Sequence, residues 1–460
     1  MKVPRILLCA GASGSGKTMI TCGILQAFKN RGLNLTSFKC GPDYIDPMFH
    51  KKVIGTRSGN LDTFFTDEKT VRYLMAANSK HADLAVIEGV MGYYDGTGGI
   101  TTHGSAYEVA SITETPAILI VNCKGMSLSI LPYIKGFLEY KENSRISGVL
   151  LNQISPMLYP RIKEAIEQEL SIPVVGYLPK VKDCVLESRH LGLMMPDEIL
   201  DFRSKLNRLA EEMEKSIDLD LILRIAQGAV NLEEETPWKK ESDLEFHLSE
   251  PVRIGLAEDE AFCFIYQENI SLLKKMGAQI VRFSPIHDKH LPEALDGILL
   301  YGGYPELWGR NLEENISMRQ EIREAFSSGM PMIAECGGFM YLHQWMEDME
   351  GQPHRGAGVI PGHAFKTEKL GRFGYITLTN RKKKAFDTEF GVIPAHEFHY
   401  FDSDCCGEDY FAQKPAGKKN WNCIHGSEHL MAGFPHLYYY GNPSVPKAFL
   451  ETCLKYKYNK

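Results

Sequence analysis

The sequence predicts two successive α/β domains, the first of them built on a parallel sheet. Residues 1–180 alternate short apolar runs with helix-compatible stretches. A charged, weakly periodic segment, residues 228–250, follows, and the alternation begins again near residue 251. A chain of 460 residues has room for two or three domains of about 100–200 residues each.

The apolar runs of the first 180 residues are typical of strands that are buried on both faces of a parallel sheet. They are short, rich in β-branched residues and bounded by Gly or Pro. Two of the stretches between them, Thr18–Asn30 and Arg161–Leu170, suit crossover helices. The runs include Ile6–Ala10, Leu84–Ile87, Ala117–Asn122, Gly148–Asn152 and Pro173–Leu178.

Helical spacing of apolar residues continues over residues 197–227 and ends where the charged linker candidate begins. Beyond the linker, a second set of strand-like runs indicates that another α/β domain starts near residue 251. These runs are Val252–Ala257, Gln279–Phe283, Gly297–Tyr301 and Met332–Ala334.

Composition excludes several classes of protein. Hydrophobic residues make up 44% and charged residues 24% of the chain, which excludes a largely disordered or fibrous protein. The formal net charge is −7, whereas general nucleic-acid binding needs a basic surface. No apolar run approaches the roughly 20 residues of a membrane span. The 11 cysteines show no paired spacing, so we expect a reducing, cytoplasmic location.

Residues 11–18 fit the phosphate-binding pattern G-x-x-x-x-G-K-[ST] between a predicted strand and a predicted helix. Glycines allow successive backbone N–H groups to point at phosphate oxygens, and the helix N-terminus adds partial positive charge. Lys17 can reach the terminal phosphates, and the Thr18 hydroxyl can bind Mg²⁺. The candidate ATP-binding residues of the loop are Gly11, Ser13, Gly14, Ser15, Gly16, Lys17 and Thr18.

Magnesium would need further oxygen ligands, and three acidic residues are candidates. Glu88 ends the run Leu84–Ile87 at the carboxyl edge of a predicted strand, where ligands bind in open α/β sheets. Asp43 and Asp95 lie in the glycine-containing segments 41–47 and 92–96. Composition does not choose among the three.

Cys336 follows a predicted strand and precedes Gly337, Gly338 and the helix-compatible stretch Phe339–Met346. A cysteine at such a sharp turn lies beside helix N–H groups, which lower the thiol pKa and favour the thiolate nucleophile. The N–H of Gly337 could donate to an oxyanion, and the Gly302-Gly303 pair after another strand could supply a second donor.

A thiolate nucleophile needs a base, and three histidines are candidates. His436 lies late in the chain, whereas His396 and His399 lie in the segment 395–400. Spacing alone does not choose among them. His396 and His399 could equally bind a metal, although no third ligand nearby completes a set.

Taken in order along nearly the whole chain, these and further motifs resemble the cobyrinic acid a,c-diamide synthase family, ATP-dependent and glutamine-using ligases of cobalamin biosynthesis. In the first half the matching segments are 11–18, 38–47, 60–62, 87–96 and 189–193. In the second half they are 261–264, 283–285, 302–306, 335–338, 371–375 and 396–400.

The resemblance implies an α/β fold with two domains and a linker. Residues 1–230 would form a P-loop domain similar to dethiobiotin synthetase that binds ATP and a corrinoid. Residues 231–250 would be the linker, and residues 251–460 would form a class I glutamine amidotransferase domain with a flavodoxin-like fold.

The resemblance also assigns roles to residues. It places the nucleophile at Cys336 and the activating base at His436. Many related enzymes carry a Glu two residues after that histidine, but Tyr438 stands there, so a Cys–His dyad is expected. The oxyanion donors would be Gly303 and Gly337. Three further assignments follow: Thr18, Asp43 and Glu88 as magnesium ligands; Asp43, Tyr44, Ile45 and Asp95 as substrate-binding residues; and Asn152 as a contact of the adenine.

The chemistry implied is the amidation of two carboxylates. ATP would phosphorylate a peripheral carboxylate of the corrin ring, and Cys336 would release ammonia from glutamine. Ammonia would then displace phosphate, first at one acetate and then at the other of the a and c pair. We therefore expect Mg²⁺ as the cofactor, small-molecule partners only, neither nucleic acid nor membrane, and a possible homodimer.

Several alternatives remain at this stage. Hydrogenobyrinic acid or nickel-sirohydrochlorin could be the ring that is amidated, and cobyric acid synthase is a related enzyme that acts on other carboxylates. From a different class, the chain could be a non-catalytic P-loop switch ATPase. Cys336 and His436 argue against the switch, which has no need of glutaminase groups.

Overall fold

The computed structural model describes residues 2–180, 188–189, 192–193, 202–232 and 246–460. The chain forms two compact units, Met1–Pro237 and Trp238–Lys460. The boundary between them falls inside the predicted linker 231–250, of which residues 233–245 lie outside the described residues. So do His190 and Leu191 of the motif at 189–193 and residues 197–201 of the predicted helical stretch. The α/β class and the two-part architecture are confirmed.

The core of the first unit is a seven-stranded sheet in which every strand is parallel to its neighbours. Its order is β3-β2-β4-β1-β5-β6-β7. The strands are β1 (Arg5–Ala10), β2 (Leu35–Cys40), β3 (Arg57–Leu61), β4 (Leu84–Glu88), β5 (Ala117–Asn122), β6 (Ile146–Asn152) and β7 (Val174–Leu178), and a separate two-stranded ribbon pairs β8 (Ser188–Arg189) with β9 (Gly192–Leu193).

Helices connect these strands, as parallel neighbours require. They are α1 (Lys17–Asn30), α2 (Ile45–Phe49) followed by one π-helical turn (His50–Ile54), α3 (Glu68–Asn78), α4 (Ala106–Ile112), α5 (Ile130–Glu139), α6 (Tyr159–Leu170), α7 (Phe202–Ser216) and α8 (Leu219–Gln227). The stretch predicted as continuously helical is broken at Ile217, where Asp218 begins a new helix by accepting a hydrogen bond from the backbone N–H of Leu221.

The second unit contains a six-stranded sheet of order β11-β10-β12-β13-β23-β22. All of its pairs are parallel except β22 with β23. The strands are β10 (Val252–Ala257), β11 (Ala278–Phe283), β12 (Gly297–Leu300), β13 (Met332–Glu335), β22 (His425–Ser427) and β23 (Leu430–Gly433). The helices of the unit are α9 (Gln267–Lys275), α10 (Gly309–Glu314), α11 (Ile316–Ser327), α12 (Gly337–Leu342) and α13 (Ser444–Asn459).

Two smaller sheets accompany it. A five-stranded antiparallel sheet has the order β21-β20-β17-β18-β24, and a four-stranded sheet has the order β15-β14-β16-β19. Their strands are β14 (His343–Glu347), β15 (Pro353–Arg355), β16 (Ile360–Lys366), β17 (Arg372–Asn380), β18 (Ile393–His399), β19 (Phe401–Ser403), β20 (Tyr410–Gln413), β21 (Asn420–Cys423) and β24 (His436–Leu437).

One predicted helix is partly wrong. The stretch Phe339–Met346 is helical only as far as Leu342, and His343 begins a strand that pairs with β15 and β16. The His343 imidazole is buried and hydrogen-bonded to the carbonyl of Phe339 and to the hydroxyl of Ser403. These contacts hold the chain in an extended conformation where apolar periodicity alone favours a helix.

Candidate active sites

The phosphate-binding loop joins β1 to α1 in the first unit. Gly14 and Gly16 have φ angles of 74° and 91°, a conformation that favours glycine. Asn152, at the end of β6, donates its Nδ2 hydrogen to the carbonyl of Ser15 over 2.9 Å. The structure thus places Asn152 against the loop backbone. Its predicted contact with adenine remains a prediction.

Lys17 is buried at the start of α1, and its side chain lies against the phosphate-binding loop. Its ammonium donates to the carbonyl of Ala12 over 3.0 Å and to the carbonyl of Met91 over 2.5 Å. Burial lowers the pKa of the Lys17 ammonium, and the nearby Lys39 ammonium lowers it further. A lysine held by carbonyl oxygens at the loop is available to exchange them for phosphate oxygens.

A buried charge cluster lies beside Thr18. The Thr18 hydroxyl lies 2.6 Å from Oε1 of Glu88 and 3.4 Å from Oδ2 of Asp46. The Lys39 ammonium is 2.8 Å from Glu88 Oε1 and also contacts Asp46. The His50 imidazole lies 3.3 Å from the other oxygen of Glu88. Glu88, Asp46, Lys39 and His50 are all buried, so this cluster is shielded from solvent.

The pKa values of the two carboxylates of the cluster are shifted in opposite directions. Burial alone would raise the pKa of Glu88, but the Lys39 ammonium and the His50 imidazole hold it below its ordinary value. Burial raises the pKa of Asp46 well above its ordinary value, and the neighbouring Asp43 and Glu88 carboxylates add to that rise. The arrangement keeps Glu88 ionised as an oxygen donor.

Oxygen donors gathered in this way suit a magnesium ion bound to nucleotide phosphates. Among the described residues, no group of three or more His, Cys, Asp or Glu side chains is arranged to hold a metal by itself. Mg²⁺, however, usually takes one or two carboxylates from the protein and the remaining ligands from phosphate and water. Thr18, Glu88 and Asp46 fit that requirement.

The predicted ligand Asp43 has a different immediate role in this structure. Its Oδ1 accepts hydrogen bonds from the backbone N–H groups of Ile45, over 2.8 Å, and Asp46, over 3.3 Å. Asp43 therefore fixes the start of α2, which presents Asp46 to the cluster. The sequence-based ligand set omitted Asp46, although it lies only three residues further on. The signal was the second carboxylate of the segment 41–47.

Of the other predicted substrate-binding residues, Tyr44 and Ile45 lie at the start of α2, next to this cluster. Asp95 lies in the segment that follows β4. Its Oδ2 accepts a hydrogen bond from the N–H of Gly92 over 2.8 Å. A Cβ at Gly92 would lie 2.4 Å from that oxygen and 2.7 Å from the carbonyl of Gly11, so the segment around Asp95 packs closely on the phosphate-binding loop.

The second candidate site is the turn between β13 and α12. Cys336 has φ 46° and ψ −105°, a conformation strained for any residue with a side chain. Its N–H donates to the carbonyl of Gly433, and its carbonyl accepts from the N–H of Met340, each over 2.9 Å. A Cβ at Gly338 would lie 2.0 Å from the carbonyl oxygen of Leu300. The glycine is required because the turn packs directly on β12.

The two predicted oxyanion donors come close together. A Cβ at Gly337 would lie 3.1 Å from the backbone nitrogen of Gly303 and 2.8 Å from Cδ of Pro305. The loop after β12 therefore packs against the Cys336 turn. This proximity agrees with a pair of N–H donors beside the thiol, which remains a prediction.

The pKa of the Cys336 thiol is raised, whereas the sequence predicted that a helix N-terminus would lower it. Burial raises the pKa of the Cys336 thiol, the Glu306 carboxyl adds to this, and the Gly337 N–H lowers it by less. Cys336 is 5% exposed. The expected lowering by a helix N-terminus does not prevail, because the thiol is shielded from water and α12 has only six residues. Forming the thiolate therefore depends on a base.

Of the three candidate bases, His436 is the histidine beside Cys336. A Cβ at Gly302 would lie 2.5 Å from Cε1 of His436 and 3.4 Å from Cβ of Cys336. The absence of a side chain at Gly302 leaves the space in which these two groups face each other. Burial lowers the pKa of the His436 imidazole, and His396 and His399 lower it further, so this histidine is neutral and able to accept a proton.

The other two histidines support this arrangement from β18. His396 pairs with His436 across strands β18 and β24, and their ring centroids are 6.3 Å apart. His399 stacks on Phe434 with centroids 4.1 Å apart and hydrogen-bonds the carbonyl of Phe401. A metal site at His396 and His399 finds no support, since no third ligand joins them among the described residues.

Two carboxylates near the thiol did not stand out in the sequence analysis. Glu335 precedes Cys336 directly, and its Oε2 lies 3.7 Å from Nδ1 of His436. Glu306 lies in the loop after β12, and burial raises its pKa to about 7. The only sequence signal for Glu335 was its position next to the nucleophile.

Comparison with known proteins agrees with this division of the chain. A family model described as the CobQ/CobB/MinD/ParA nucleotide binding domain matches residues 6–193. A model described as the CobB/CobQ-like glutamine amidotransferase domain matches residues 253–438. The first model covers the phosphate-binding loop and its charge cluster, and the second covers Cys336 and His436.

Relatives match over almost the full length. A cobyrinate a,c-diamide synthase of Caldanaerobacter subterraneus subsp. tengcongensis is 36% identical over 98% of this chain and 98% of the relative. The chain belongs to the cobyrinate a,c-diamide synthase family. Family members of the same name from Listeria innocua, 36% identical over 96% of this chain and 97% of the relative, and Thermoplasma volcanium, 34% identical over 99% and 98%, match similarly.

Membership of the cobyrinate a,c-diamide synthase family makes this protein an enzyme, a carbon–nitrogen ligase with a nucleotide-binding domain and with glutamine as the amido donor. A glutamine amidotransferase domain has no place in a non-catalytic switch ATPase, so that alternative is set aside. No helix in the described parts of the chain combines the length and apolar character needed to cross a bilayer.

Proposed function

We propose that the protein uses ATP and glutamine to convert the a and c acetate carboxylates of cobyrinic acid into amides, through acyl-phosphate intermediates. The observation that carries this proposal is the presence of two separate reaction centres on one chain. A phosphate-binding loop beside the ionised Glu88 carboxylate suits carboxylate activation, and a buried thiol beside a neutral imidazole suits amide hydrolysis.

In the first unit, the chemistry is the transfer of a phosphoryl group to a carboxylate, which is a poor acyl donor until it is activated. The loop N–H groups and Lys17 would hold the phosphates of ATP. Thr18, Asp46 and Glu88, with Asp43 as the predicted alternative, would hold Mg²⁺. When bound, the ion offsets negative charge on the phosphates and the incoming carboxylate. Tyr44, Ile45 and Asp95 remain the proposed contacts of the corrinoid.

In the second unit, the chemistry is the release of ammonia from glutamine. The Cys336 thiol transfers its proton to His436 as its sulfur attacks the side-chain amide. The N–H groups of Gly303 and Gly337 would stabilise the oxyanion. The imidazolium returns the proton to the departing ammonia, and water hydrolyses the thioester to glutamate. The ammonia then displaces phosphate from the activated carboxylate in the first unit.

The decisive experiment incubates the purified full-length protein with cobyrinic acid, ATP, Mg²⁺ and glutamine, and follows the product by mass spectrometry. We expect two successive amidations that require ATP. The Cys336→Ala variant should lose amidation with glutamine and retain it with free ammonia. Cys405→Ala, which removes a partly buried thiol of the same unit, serves as the matched control.

Three results would count against parts of the proposal. If cobyrinic acid is left unchanged while glutamine is hydrolysed, the substrate is wrong, and hydrogenobyrinic acid and nickel-sirohydrochlorin are assayed next. If amide forms without ATP consumption, the acyl-phosphate route is wrong. If Cys336→Ala still uses glutamine, the assignment of the nucleophile is wrong.

Homodimer formation and a cytoplasmic location are part of the same proposal. Both are consistent with a small-molecule biosynthetic enzyme. Sedimentation equilibrium of the purified chain, whose mass is 51.8 kDa, tests the dimer, and cell fractionation tests the location.

A further inference from the structure

A buried carboxylate lies beside His436, next to the candidate nucleophile in sequence. Glu335 is the last residue of β13 and is 3% exposed. Strand β13 is held between β12 and β23, where Glu335 is paired with Gly433. The Glu335 Oε2 lies 3.7 Å from Nδ1 of His436. The backbone therefore fixes this carboxylate beside one nitrogen of the imidazole.

The surroundings of Glu335 offer little other compensation for its charge. In the described parts of the chain, neither a lysine nor an arginine forms an ion pair with it, and its Oε1 accepts no hydrogen bond from these residues. Burial raises the pKa of the Glu335 carboxyl well above its ordinary value, and the backbone N–H of Leu437, which donates to this carboxyl, lowers the pKa by less. A buried carboxylate with so few partners is costly, so a cation that forms next to it during a reaction would be stabilised strongly.

The neighbouring polar groups are occupied with one another. The hydroxyl of Tyr301 bonds that of Tyr439 over 3.0 Å. Asn269 donates to the carbonyl of Leu437 and accepts from the N–H of Tyr439, each over 2.8 Å. This network fixes the segment that carries His436. The His436 imidazole is the group beside Glu335 that can become a cation.

Tyr438 stands two residues after His436, where many related enzymes carry a catalytic Glu. Tyr438 packs edge to face on Tyr266 with ring centroids 5.0 Å apart. It carries no carboxylate. The carboxylate beside His436 instead comes from Glu335, the residue directly before the nucleophile in sequence.

We propose that Glu335 is a positioning residue that acts through His436, completing a Cys336–His436–Glu335 triad. Its carboxylate orients Nδ1–H so that Nε2 faces the thiol, and it stabilises the imidazolium that forms when the S–H proton moves to Nε2. The proton later leaves with ammonia, and Glu335 itself exchanges none. This inference rests on the thiol–imidazole chemistry of the proposed function.

The test compares Glu335→Gln and Glu335→Ala in the full-length enzyme, with glutamine hydrolysis as the assay. A glutamine side chain can still accept the Leu437 N–H and fill the same space, but it lacks the charge. We expect kcat to fall about 10²-fold in Glu335→Gln, with KM for glutamine changed by less than about 3-fold, because the loss is confined to the transition state. Glu347→Gln, a carboxylate of the same unit outside the site, is the control.

The outcomes separate this inference from the proposed function. Wild-type kcat in Glu335→Gln would overturn the inference, since a merely structural acceptor for Leu437 survives that substitution. A rise in KM with kcat unchanged would also overturn it, because that pattern belongs to substrate binding. If Cys336→Ala or His436→Gln still hydrolyses glutamine at the wild-type rate, the thiol–imidazole chemistry itself fails. If Glu335→Ala does not fold, Glu335→Gln alone decides.

Discussion

The hydroxyl of Thr18 lies 2.6 Å from Oε1 of Glu88, although 70 positions of sequence separate the two residues. The contact arises because β1 and β4 are adjacent parallel strands whose carboxyl ends meet at one edge of the sheet. Thr18 is the second residue of α1, the helix that follows β1, and Glu88 ends β4. The phosphate-binding loop and the charge cluster are therefore products of the strand order.

The Lys39 ammonium is the cation of this cluster, and its removal tests what holds the cluster together. Lys39→Met leaves Asp46 and Glu88 buried without their amine partner, so the free energy of unfolding of the first unit should fall by about 3–5 kcal/mol. Urea denaturation measures it. Lys135→Met, on the exposed face of α5, should change it by less than about 0.5 kcal/mol. Equal stability of both variants would contradict the prediction.

Gly302 provides the space in which His436 meets Cys336. In Gly302→Ala, the new methyl group would lie 2.5 Å from the imidazole carbon, so the ring must move. We expect kcat for glutamine hydrolysis to fall about 10²-fold, while amidation with free ammonia continues. Gly371→Ala is the control, because a Cβ there meets nothing within 4 Å. Unchanged hydrolysis in Gly302→Ala would show that the ring adjusts without loss.

The backbone conformation of Cys336 predicts that a glycine variant is more stable than an alanine variant at this position, the reverse of the order expected inside a helix. At φ 46° and ψ −105°, glycine is less strained than any residue with a Cβ. Cys336→Gly should therefore be more stable than Cys336→Ala by about 1 kcal/mol, although neither hydrolyses glutamine. At Cys453, buried in α13, glycine should instead be less stable than alanine by about 1 kcal/mol. Chemical denaturation of the four variants measures their free energies of unfolding. If glycine and alanine rank in the same order at both positions, the backbone of Cys336 is not strained.

Burial lowers the pKa of His343 to about 4. The unfolded chain binds this proton below the ordinary value of about 6.5, whereas the folded protein binds it only near pH 4. Stability from this group is therefore present above pH 6.5 and is lost as the pH falls towards 4, by up to about 3 kcal/mol.

Denaturation of the second unit at several pH values measures this loss. His343→Gln should flatten the slope between pH 6.5 and 4, whereas His290→Gln, at a largely exposed histidine, should leave it nearly unchanged. An unaltered slope in His343→Gln would mean that other groups cause the acid sensitivity.

Sequence patterns predict the apolar strands β1 and β4 to β7 of the first sheet and β10 to β13 of the second, but not the apolar strand β23. β2 and β3 carry no apolar run, since Thr36, Ser37, Lys39 and Asn60 are buried in them. These polar residues are tolerated inside because partners from distant segments satisfy them. Lys39, for example, contacts Asp46 and Glu88. Such pairing depends on the tertiary structure, so it produces no periodic pattern in the sequence.

The candidate sites were predictable to a similar extent. The phosphate-binding loop and the Cys336 turn have local signatures, because a sharp turn needs glycines at fixed offsets. Asp46 and Glu335 have only weak signals, a second carboxylate in the segment 41–47 and a position next to the nucleophile, since their importance depends on which groups other strands bring near them. His436 could be chosen over His396 and His399 through the family resemblance, and its position beside Gly302 supplies the physical reason.

The burial of Cys336 has a consequence for the durability of the enzyme. Peroxides and alkylating agents attack thiolates that they can reach, and this sulfur is both protonated at rest and enclosed. Because the Cys336 thiol is buried and its pKa is raised, little thiolate is present before a base takes the proton. The enclosure that makes the nucleophile dependent on its base should therefore also slow its oxidation between turnovers.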